Sequence, residues 1–194
     1  MRPKRWTSSD GTALSYKTGP LDRIRRIPAG LDLSTFDCGE EDFNDFIRNE
    51  AMQDFLDGYS VTYIGYIGKE PAAYVTLVAA AYRAEDYFSA DSRYRYRQIP
   101  AIKIARIATD RHFHRSGCGR ALVKYSHAVA LRIRNVIGCR LLVTDALPGK
   151  MGWYEKMGFA LSRRVVPGEK RSSYPMHTII PPPESKYQLS TKRR

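Results

Sequence analysis

The clearest chemistry in this chain belongs to two glycines that stand between a β-branched run and a helical pattern. The segment Ser116 to Gly119 follows the run from Ile102 to Thr109, and the helix predicted after it begins at Arg120. Glycines let the backbone approach a ligand closely, and the first N–H groups of a helix have no partner within the helix. A strand, a glycine loop and a helix N-terminus in this order are suited to holding phosphate.

Two common phosphate sites do not fit these residues. A P-loop needs Lys and then Ser or Thr after its last glycine, whereas Gly119 is followed by Arg120 and Ala121. A dinucleotide fold alternates strands and helices, whereas this loop comes late, after at least three consecutive strand patterns. The remaining ligand of this kind is coenzyme A, bound through its pyrophosphate and pantetheine.

A second candidate binding element is an alternation of arginine and tyrosine. Arg93, Arg95 and Arg97 flank Tyr94 and Tyr96. Such a segment either binds phosphates and stacks on nucleobases, or forms a solvated edge whose tyrosines cover the core. The chain has 32 Lys and Arg against 20 Asp and Glu, a net charge of +12. A polyanionic partner such as nucleic acid is one explanation of this charge, and a phosphate-rich cofactor accounts for part of it.

The elements that must position these residues form one domain, predicted over residues 21–180, between a flexible basic arm (1–20) and a Pro-rich basic tail (181–194). The periodicity predicts the order β-α-β-β-β-α-β-α-β-β, with no internal repeat. Predicted strands cover residues 21–27, 61–67, 72–81, 102–109, 139–144, 159–166 and 174–180, and the later helices cover 120–137 and 148–157.

Local signals refine two of these elements. Asp37 is the predicted N-cap of the first helix, with Glu40 at capping-box spacing, and Gly58 is its stop. The four residues from Gly68 to Pro71 are predicted to join two strands as a β-hairpin.

Composition excludes several classes of protein. No run approaches the ~20 apolar residues of a membrane span, and the basic N-terminus continues into polar residues instead of the apolar segment of a secretory signal. We therefore expect a cytoplasmic protein without a membrane partner. Cys38, Cys118 and Cys139 are widely spaced and form no CxxC pair, so neither a zinc site nor a disulfide framework is predicted.

Two motifs resemble those of the GNAT superfamily of N-acetyltransferases. The segment from Ala105 to Leu122 is similar to its acetyl-CoA motif, (Gln/Arg)-x-x-Gly-x-(Gly/Ala), with His114 in the Gln/Arg position. The second motif is Tyr154 in a short helix ahead of Gly158 and Phe159. The resemblance implies an α/β (α+β) GNAT fold: one mixed, mostly antiparallel sheet of six to seven strands, helices on both faces, and a splayed cleft for acetyl-CoA.

The resemblance also implies roles for individual residues. Tyr154 is the expected general acid towards the leaving thiolate, and the backbone at Ala108 the expected oxyanion donor. The residues expected to bind acetyl-CoA are Ile107, Ala108, Thr109, His114, Arg115, Ser116, Gly117, Cys118, Gly119, Arg120 and Ala121.

The segment Phe36 to Gly39 and the position of Arg106 in Ala-Arg-Ile-Ala-Thr-Asp are similar to the toxin branch of the superfamily. Enzymes of that branch acetylate the α-amine of aminoacyl-tRNA and pair with a ribbon-helix-helix antitoxin. The expected substrate-binding residues are Arg106, Arg93, Arg95, Arg97 and Asp145. C-terminal strands in the superfamily often pair across a dimer, which makes a homodimer a further expectation.

Three functions remain open at this point. The acceptor is an aminoacyl-tRNA, or it is a protein N-terminus, a lysine or a small amine. In the third alternative the chain is a non-catalytic module that binds acyl-CoA and a nucleic acid or a partner protein. The candidates for a general base are Asp110, Asp145, His112 and His114. An α-amine has a pKa of ~7.7–8.0 and a lysine amine one of ~10.4, so the absence of an obvious base favours an α-amine acceptor.

Overall fold

A computed structural model describes residues 6–7, 13–14, 19–88, 96–166 and 168–182. Its strands are β1 (Trp6–Thr7), β2 (Ala13–Leu14), β3 (Arg23–Arg26), β4 (Val61–Ile67), β5 (Glu70–Arg83), β6 (Gln98–Thr109), β7 (Leu141–Ala146), β8 (Ala160–Leu161) and β9 (Tyr174–Ile179). Its helices are α1 (Glu41–Asp45), which continues through a π-helical turn (Phe46–Glu50) into α2 (Ala51–Leu56), then α3 (Cys118–Val136) and α4 (Met151–Glu155). Short 3₁₀ turns cover Ala84–Asp86 and Arg111–Phe113.

Seven strands form one sheet in the order β3-β4-β5-β6-β7-β9-β8. Every neighbouring pair is antiparallel except β6 and β7, which are parallel. The predicted mixed, mostly antiparallel sheet of six to seven strands is therefore confirmed. Among the described helices, none is long and apolar enough to cross a bilayer.

The sheet opens where β6 meets β7. Thr76 of β5 pairs with Arg106, but the next residue, Leu77, pairs with Ile104, so Ala105 is an extra residue in β6. A bulge of this kind bends the strand that carries it. The pairing of β6 with β7 ends at Ile104 and Thr144, and the two strands diverge beyond that point.

Helices cover both faces of the sheet. Successive side chains of a strand point to opposite faces. On β7, Leu142 belongs to the core cluster beneath α3 and α4, whereas Val143 points the other way. On β5, Tyr74 packs against Phe46 in the cluster beneath α1 and α2. We call these the α3 face and the α1 face.

The start of the first helix differs from the sequence prediction. The helix begins at Glu41, and Glu40 is its N-cap without a side-chain hydrogen bond. The carboxylate of Asp37 instead accepts hydrogen bonds from the Gly39 N–H, at 2.9 Å, and from Asn44 Nδ2, at 3.0 Å. Asp37 therefore holds the turn that precedes α1, and the capping-box prediction was wrong.

Other boundaries shift by smaller amounts. The hairpin turn between β4 and β5 is two residues long, because Ile67 pairs directly with Glu70. Residues 159–166 contribute only the two-residue strand β8, followed by a loop. Within the predicted N-terminal arm, β1 and β2 pair antiparallel, while residues 1–5, 8–12 and 15–18, like residues 183–194 of the predicted tail, lie outside the described residues.

Candidate active site

A cleft of 1060 Å³ lies where β6 and β7 diverge. Its walls are the end of β6, the end of β7, the loop that leads into α3, helix α4 and the segment before α1. Because the cleft occupies the gap between two strands, it is open to both faces of the sheet. A ligand on one face can therefore react with a ligand on the other.

The glycine loop forms one end of this cleft. Gly117 caps α3 with a φ of 94°, in the left-handed region that favours glycine. The first hydrogen bond of α3 runs from the Ala121 N–H to the Gly117 carbonyl, at 3.0 Å. The N–H groups of residues 118–120 therefore have no partner within the helix, as expected at an N-terminus that binds phosphate.

The side chains around this helix end fit an anionic ligand that needs close backbone approach. A Cβ on Gly119 would lie 3.2 Å from Cζ2 of Trp153, so only glycine fits here without displacing the indole. Besides Arg106, four cationic side chains line the cleft: Arg115, Arg120, Lys124 and Lys150. Together with the free helix N–H groups, they match the charge of a pyrophosphate.

The hydrogen-bond ladder decides which backbone groups of β6 face the cleft. The Asp110 N–H donates to the Ala72 carbonyl of the neighbouring segment, at 2.9 Å. In an antiparallel ladder every second residue bonds to the same neighbour, so the N–H of Ala108 points towards β5. The N–H groups of Ile107 and Thr109 point to the cleft. The oxyanion role predicted for the backbone at Ala108 stays a prediction. The neighbouring Ile107 N–H is the group that this ladder directs to the cleft.

His114, which occupies the irregular position of the motif, bonds to the backbone of the same strand. Its Nε2 lies 3.0 Å from the Thr109 carbonyl oxygen. This contact joins the glycine loop to the end of β6. The imidazole thus has a structural partner that the sequence did not reveal.

Tyr154 lies at the gap on the α3 face, with only 5% of its surface exposed. Its ring packs edge-on against Trp153 and Phe159. Thr144 Oγ1 donates to the Tyr154 hydroxyl at 3.5 Å. Burial raises the pKa of Tyr154, and the Thr144 hydrogen bond offsets only part of that rise. The phenol is therefore held protonated beside the cleft.

The α1 face of the cleft carries a different set of groups. Arg106 extends from β6, and its guanidinium lies 3.9 Å from the ring centroid of Phe46. Across the gap on β7, Asp145 forms an ion pair with Lys103 at 2.6 Å. Burial works against the Lys103 ammonium, but the hydrogen bond and charge of Asp145 outweigh it and raise the pKa of Lys103. Cys38, Glu40 and Phe43 complete this side of the cleft.

Asp110, one of the base candidates, is a structural residue. It is 4% exposed, and its carboxylate accepts from the Asp37 N–H at 2.9 Å and from both the N–H and ring Nδ1 of His112, at 2.9 and 2.8 Å. Burial raises the pKa of Asp110, but these hydrogen bonds outweigh it and lower the pKa overall. Arg111 adds an ion pair with Asp37 at 3.1 Å.

The remaining sequence candidates separate into three groups. Asp145, Arg106 and the residues from Ile107 to Ala121 named above meet in or around the cleft. Arg97 lies immediately before β6, is exposed and does not line the cleft. Arg93 and Arg95 lie outside the described residues. Sequence reasoning missed Thr144 and Trp153, whose only signal is proximity to Asp145 and Tyr154 in the chain.

Comparisons with known proteins place this geometry in context. No protein-family model matches the chain. A tRNA-acetylating toxin of Mycobacterium tuberculosis is 24% identical over 123 residues, which are 63% of this chain and 74% of that protein. The solved structure of AtaT complexed with acetyl-methionyl-tRNAfMet superimposes with a TM-score of 0.71 at 24% identity, covering 81% of this chain and 94% of that one.

The chain has the GNAT fold. A third similar structure is a tyrosine-to-phenylalanine mutant of AtaT bound to the C-terminus of the antitoxin AtaR and to acetyl-CoA, with a TM-score of 0.63, 22% identity, and coverage of 81% of this chain and 92% of that one. The resemblance to the toxin branch is therefore confirmed.

Proposed function

We propose that this chain is an acetyl-CoA-dependent N-acetyltransferase that acts on the α-amine of aminoacyl-tRNA. The observation that carries the proposal is the gap between β6 and β7, which brings the glycine loop, two cleft-facing N–H groups and Tyr154 to one cleft open on both faces. The fold is that of AtaT, solved with acetyl-methionyl-tRNAfMet, and the Mycobacterium tuberculosis relative is a tRNA-acetylating toxin.

The residues of the cleft fit acetyl-CoA. The N-terminus of α3 and the cations Arg115, Arg120, Lys124 and Lys150 would hold its pyrophosphate, and the N–H of Thr109 would bind its pantetheine arm. When bound, acetyl-CoA supplies an acyl group on a thioester. Ile107 then offers its N–H where the carbonyl oxygen gains charge, a contact worth ~2.7–4 kcal/mol in transition states of this kind.

Tyr154 would complete the transfer as a general acid. As the amine nitrogen bonds to the acyl carbon and the carbon–sulfur bond breaks, the leaving sulfur takes the electron pair and receives the phenol proton. A thiol has a pKa of ~8.5 and tyrosine one of ~10, and burial raises the pKa of Tyr154. The phenol therefore stays protonated until a thiolate forms. The acylated amine releases one proton, and water carries a proton back to the Tyr154 phenolate.

The acceptor would approach from the α1 face, opposite Tyr154. Asp145 offers a carboxylate to an α-ammonium there, and Arg106 offers a guanidinium to the ester or phosphate of the same acceptor. An α-amine, with a pKa of ~7.7–8.0, is partly neutral at pH 7. Enough of it is therefore reactive without a strong base, which fits the structural role of Asp110.

A partner follows from the same likeness. AtaT has been solved with the antitoxin AtaR, and we extend that pairing to this chain as an antitoxin of the ribbon-helix-helix class. Charged tRNA and acetyl-CoA are both cytoplasmic, so the proposed activity requires a cytoplasmic protein.

The proposed function is tested by offering one preparation several acceptors. The purified protein is incubated with labelled acetyl-CoA and either total charged tRNA, deacylated tRNA, an α-amino peptide or a lysine-containing peptide blocked at its N-terminus. We expect label in charged tRNA and none in deacylated tRNA. Label only in peptides would replace the proposed acceptor, and tight acetyl-CoA binding with no transfer to any acceptor would indicate a non-catalytic binding module.

A further inference from the structure

The acceptor side of the cleft lies between two surfaces of opposite charge. On one side, the segment 40–57, which contains α1 and α2, has seven carboxylates and a single cation, Arg48. Six of those carboxylates are exposed: Glu40, Glu41, Asp42, Asp45, Glu50 and Asp57. Although the chain has a net charge of +12, this helix pair forms an acidic surface. Its negative electrostatic potential repels a polyanion.

The other side is basic. The loop of residues 162–171 has four cations, Arg163, Arg164, Lys170 and Arg171, against one carboxylate, Glu169. We call it the arginine loop. The start of this loop, at Ser162 and Arg163, is held by hydrogen bonds to the sheet and to the segment after β5, so Arg163 lies at a defined distance from the cleft.

Two contacts fix that distance. The Ser162 N–H donates to the Pro175 carbonyl at 2.8 Å, and Pro175 of β9 is the direct partner of Asp145 on β7. The arginine loop therefore begins two strand spacings, roughly 10 Å, from a residue that lines the cleft. The Arg163 N–H and Ser162 Oγ both donate to the Asp86 carbonyl, each at 2.8 Å, which joins the loop to the segment after β5.

Only some of the guanidinium groups on this surface form ion pairs with carboxylates of the protein. Arg164 lies 3.6 Å from Asp86, and Arg171 2.8 Å from Glu169. Arg97 lies beside the same segment, because its carbonyl accepts from the Ala84 N–H at 2.8 Å. Within the described ranges, neither Arg163 nor Arg97 forms an ion pair with a carboxylate. A guanidinium presents several N–H donors in a fork that matches phosphate oxygens, so these arginines can bind a phosphate backbone.

We propose that the nucleic-acid body of the acceptor leaves the cleft across the arginine loop, with its phosphates on Arg163, Arg164 and Arg97, and that the acidic α1–α2 surface excludes the opposite path. This inference rests on the proposed function, because it concerns the tRNA that would carry the amine. It assigns phosphate binding to residues far in sequence from the glycine loop.

A second basic groove provides the alternative path. It has a volume of 310 Å³ at the outer edge of the sheet and is lined by Arg23, Arg25, Arg26, Pro28 and Tyr66. β3 is three strands from β6, roughly 14 Å, and α1 and α2 pack on the sheet between them. Charged side chains on an edge strand also prevent pairing with another sheet, which explains these arginines without a ligand.

The two grooves allow a matched comparison. The double variants R163Q/R164Q and R23Q/R25Q remove the same charge from opposite edges of the sheet. Each is assayed with charged tRNA and with a 3′-aminoacyl adenosine, which has the same reacting amine and no further phosphates. The measured quantity is kcat/KM for tRNA divided by kcat/KM for the short acceptor.

We expect R163Q/R164Q to lower this ratio about tenfold and to reduce the slope of log KM against log salt by about 0.7–0.9 for each lost phosphate contact. R23Q/R25Q leaves the ratio unchanged. The single variant R163Q breaks no ion pair, so it controls for loss of the fold. We expect it to lower the same ratio by a smaller factor.

An unchanged ratio in both arginine-loop variants, or a fall confined to R23Q/R25Q, overturns the inference. A wild-type protein that acetylates neither acceptor refutes the proposed function instead, so the two failures are distinguishable.

Discussion

Thr144 and Tyr154 are joined by a hydrogen bond in which the threonine hydroxyl donates to the phenol oxygen at 3.5 Å. The same Thr144 hydroxyl also donates to the Ile104 carbonyl at 3.3 Å, so its one proton is shared between two acceptors at the last paired residues of β6 and β7. Because the phenol oxygen accepts from Thr144, its own proton remains available for donation. The phenol of Tyr154 is thus held by Thr144, at the point where β6 and β7 separate.

The substitution Tyr154→Phe removes the proposed acid and keeps the ring that packs against Trp153 and Phe159. We expect kcat to fall by ~10²–10⁴-fold, the usual contribution of general acid catalysis. The KM for acetyl-CoA should stay unchanged, because its phosphates are bound elsewhere. Steady-state kinetics with charged tRNA, with acetyl-CoA binding measured by calorimetry, separates these effects. A Tyr154→Phe enzyme as fast as wild type would remove Tyr154 from catalysis.

The pH dependence of kcat offers an independent test of the same residue. Burial raises the pKa of Tyr154 above the usual ~10, so its acid form persists through neutral and mildly basic pH. Activity should rise as the acceptor amine, with a pKa of ~7.7–8.0, loses its proton. We expect no descending limb below pH ~10. A descending limb near pH 8 would show that a different group is the acid.

Thr144 can be tested by a pair of substitutions that differ in one hydroxyl. Thr144→Val keeps the shape but removes the donor, so the pKa of Tyr154 should rise further and the phenol should lose its fixed orientation. We expect kcat to fall several-fold to about tenfold, on the order of the ~1 kcal/mol of one neutral hydrogen bond. Thr144→Ser retains the hydroxyl and should restore most of kcat. Equal losses in both variants would indicate that packing, not the hydrogen bond, is responsible.

Gly117 is tested against a glycine of similar conformation outside the cleft. Gly117 has a φ of 94° and Gly138 one of 84°, and a Cβ would meet nothing closer than 3.8 Å at Gly117 and nothing within 4 Å at Gly138. Alanine at either position should therefore lower the free energy of unfolding by about 1–2 kcal/mol. Only Gly117→Ala should also raise the KM for acetyl-CoA. The same rise in Gly138→Ala would mean that the effect reflects stability alone.

Asp110 should control stability at acid pH. Its carboxyl has a lowered pKa in the folded state, so its contribution is complete above the unfolded pKa of ~3.9 and is lost as pH falls through the folded value. Asp110→Asn should lower the free energy of unfolding by about 1–3 kcal/mol at pH 7. As pH falls below ~4, the denaturant midpoint of Asp110→Asn should therefore decrease less than that of the wild-type protein. Asp42→Asn, on the exposed face of α1, serves as the control and should match wild type.

The sequence predicted the elements that rely on local signals. The glycine loop, helix α3 and the short helix with Tyr154 follow from glycine positions and from apolar periodicity near them in the chain. Within residues 21–180 the order of strands and helices was also correct, because each strand has its own run of apolar or β-branched residues.

Three features escaped sequence reasoning because they depend on residues distant in the chain. The bulge at Ala105 arises from the register with β5, and the N–H of Ile107, not that of Ala108, points to the cleft. The Asp37 N–H donates to the carboxylate of Asp110, 73 positions away, and no local pattern predicts this contact at the turn before α1. The position of the arginine loop beside Asp145 depends on the pairing of β9 with β7.

The most direct test of the account is the mass of the aminoacyl adenosine released by nuclease from charged tRNA after incubation with the protein and acetyl-CoA. We expect a gain of one acetyl group on the α-amine, absent with deacylated tRNA and strongly reduced with Tyr154→Phe. Aminoacyl adenosine of unchanged mass, from a protein that binds acetyl-CoA, would contradict the proposed acceptor.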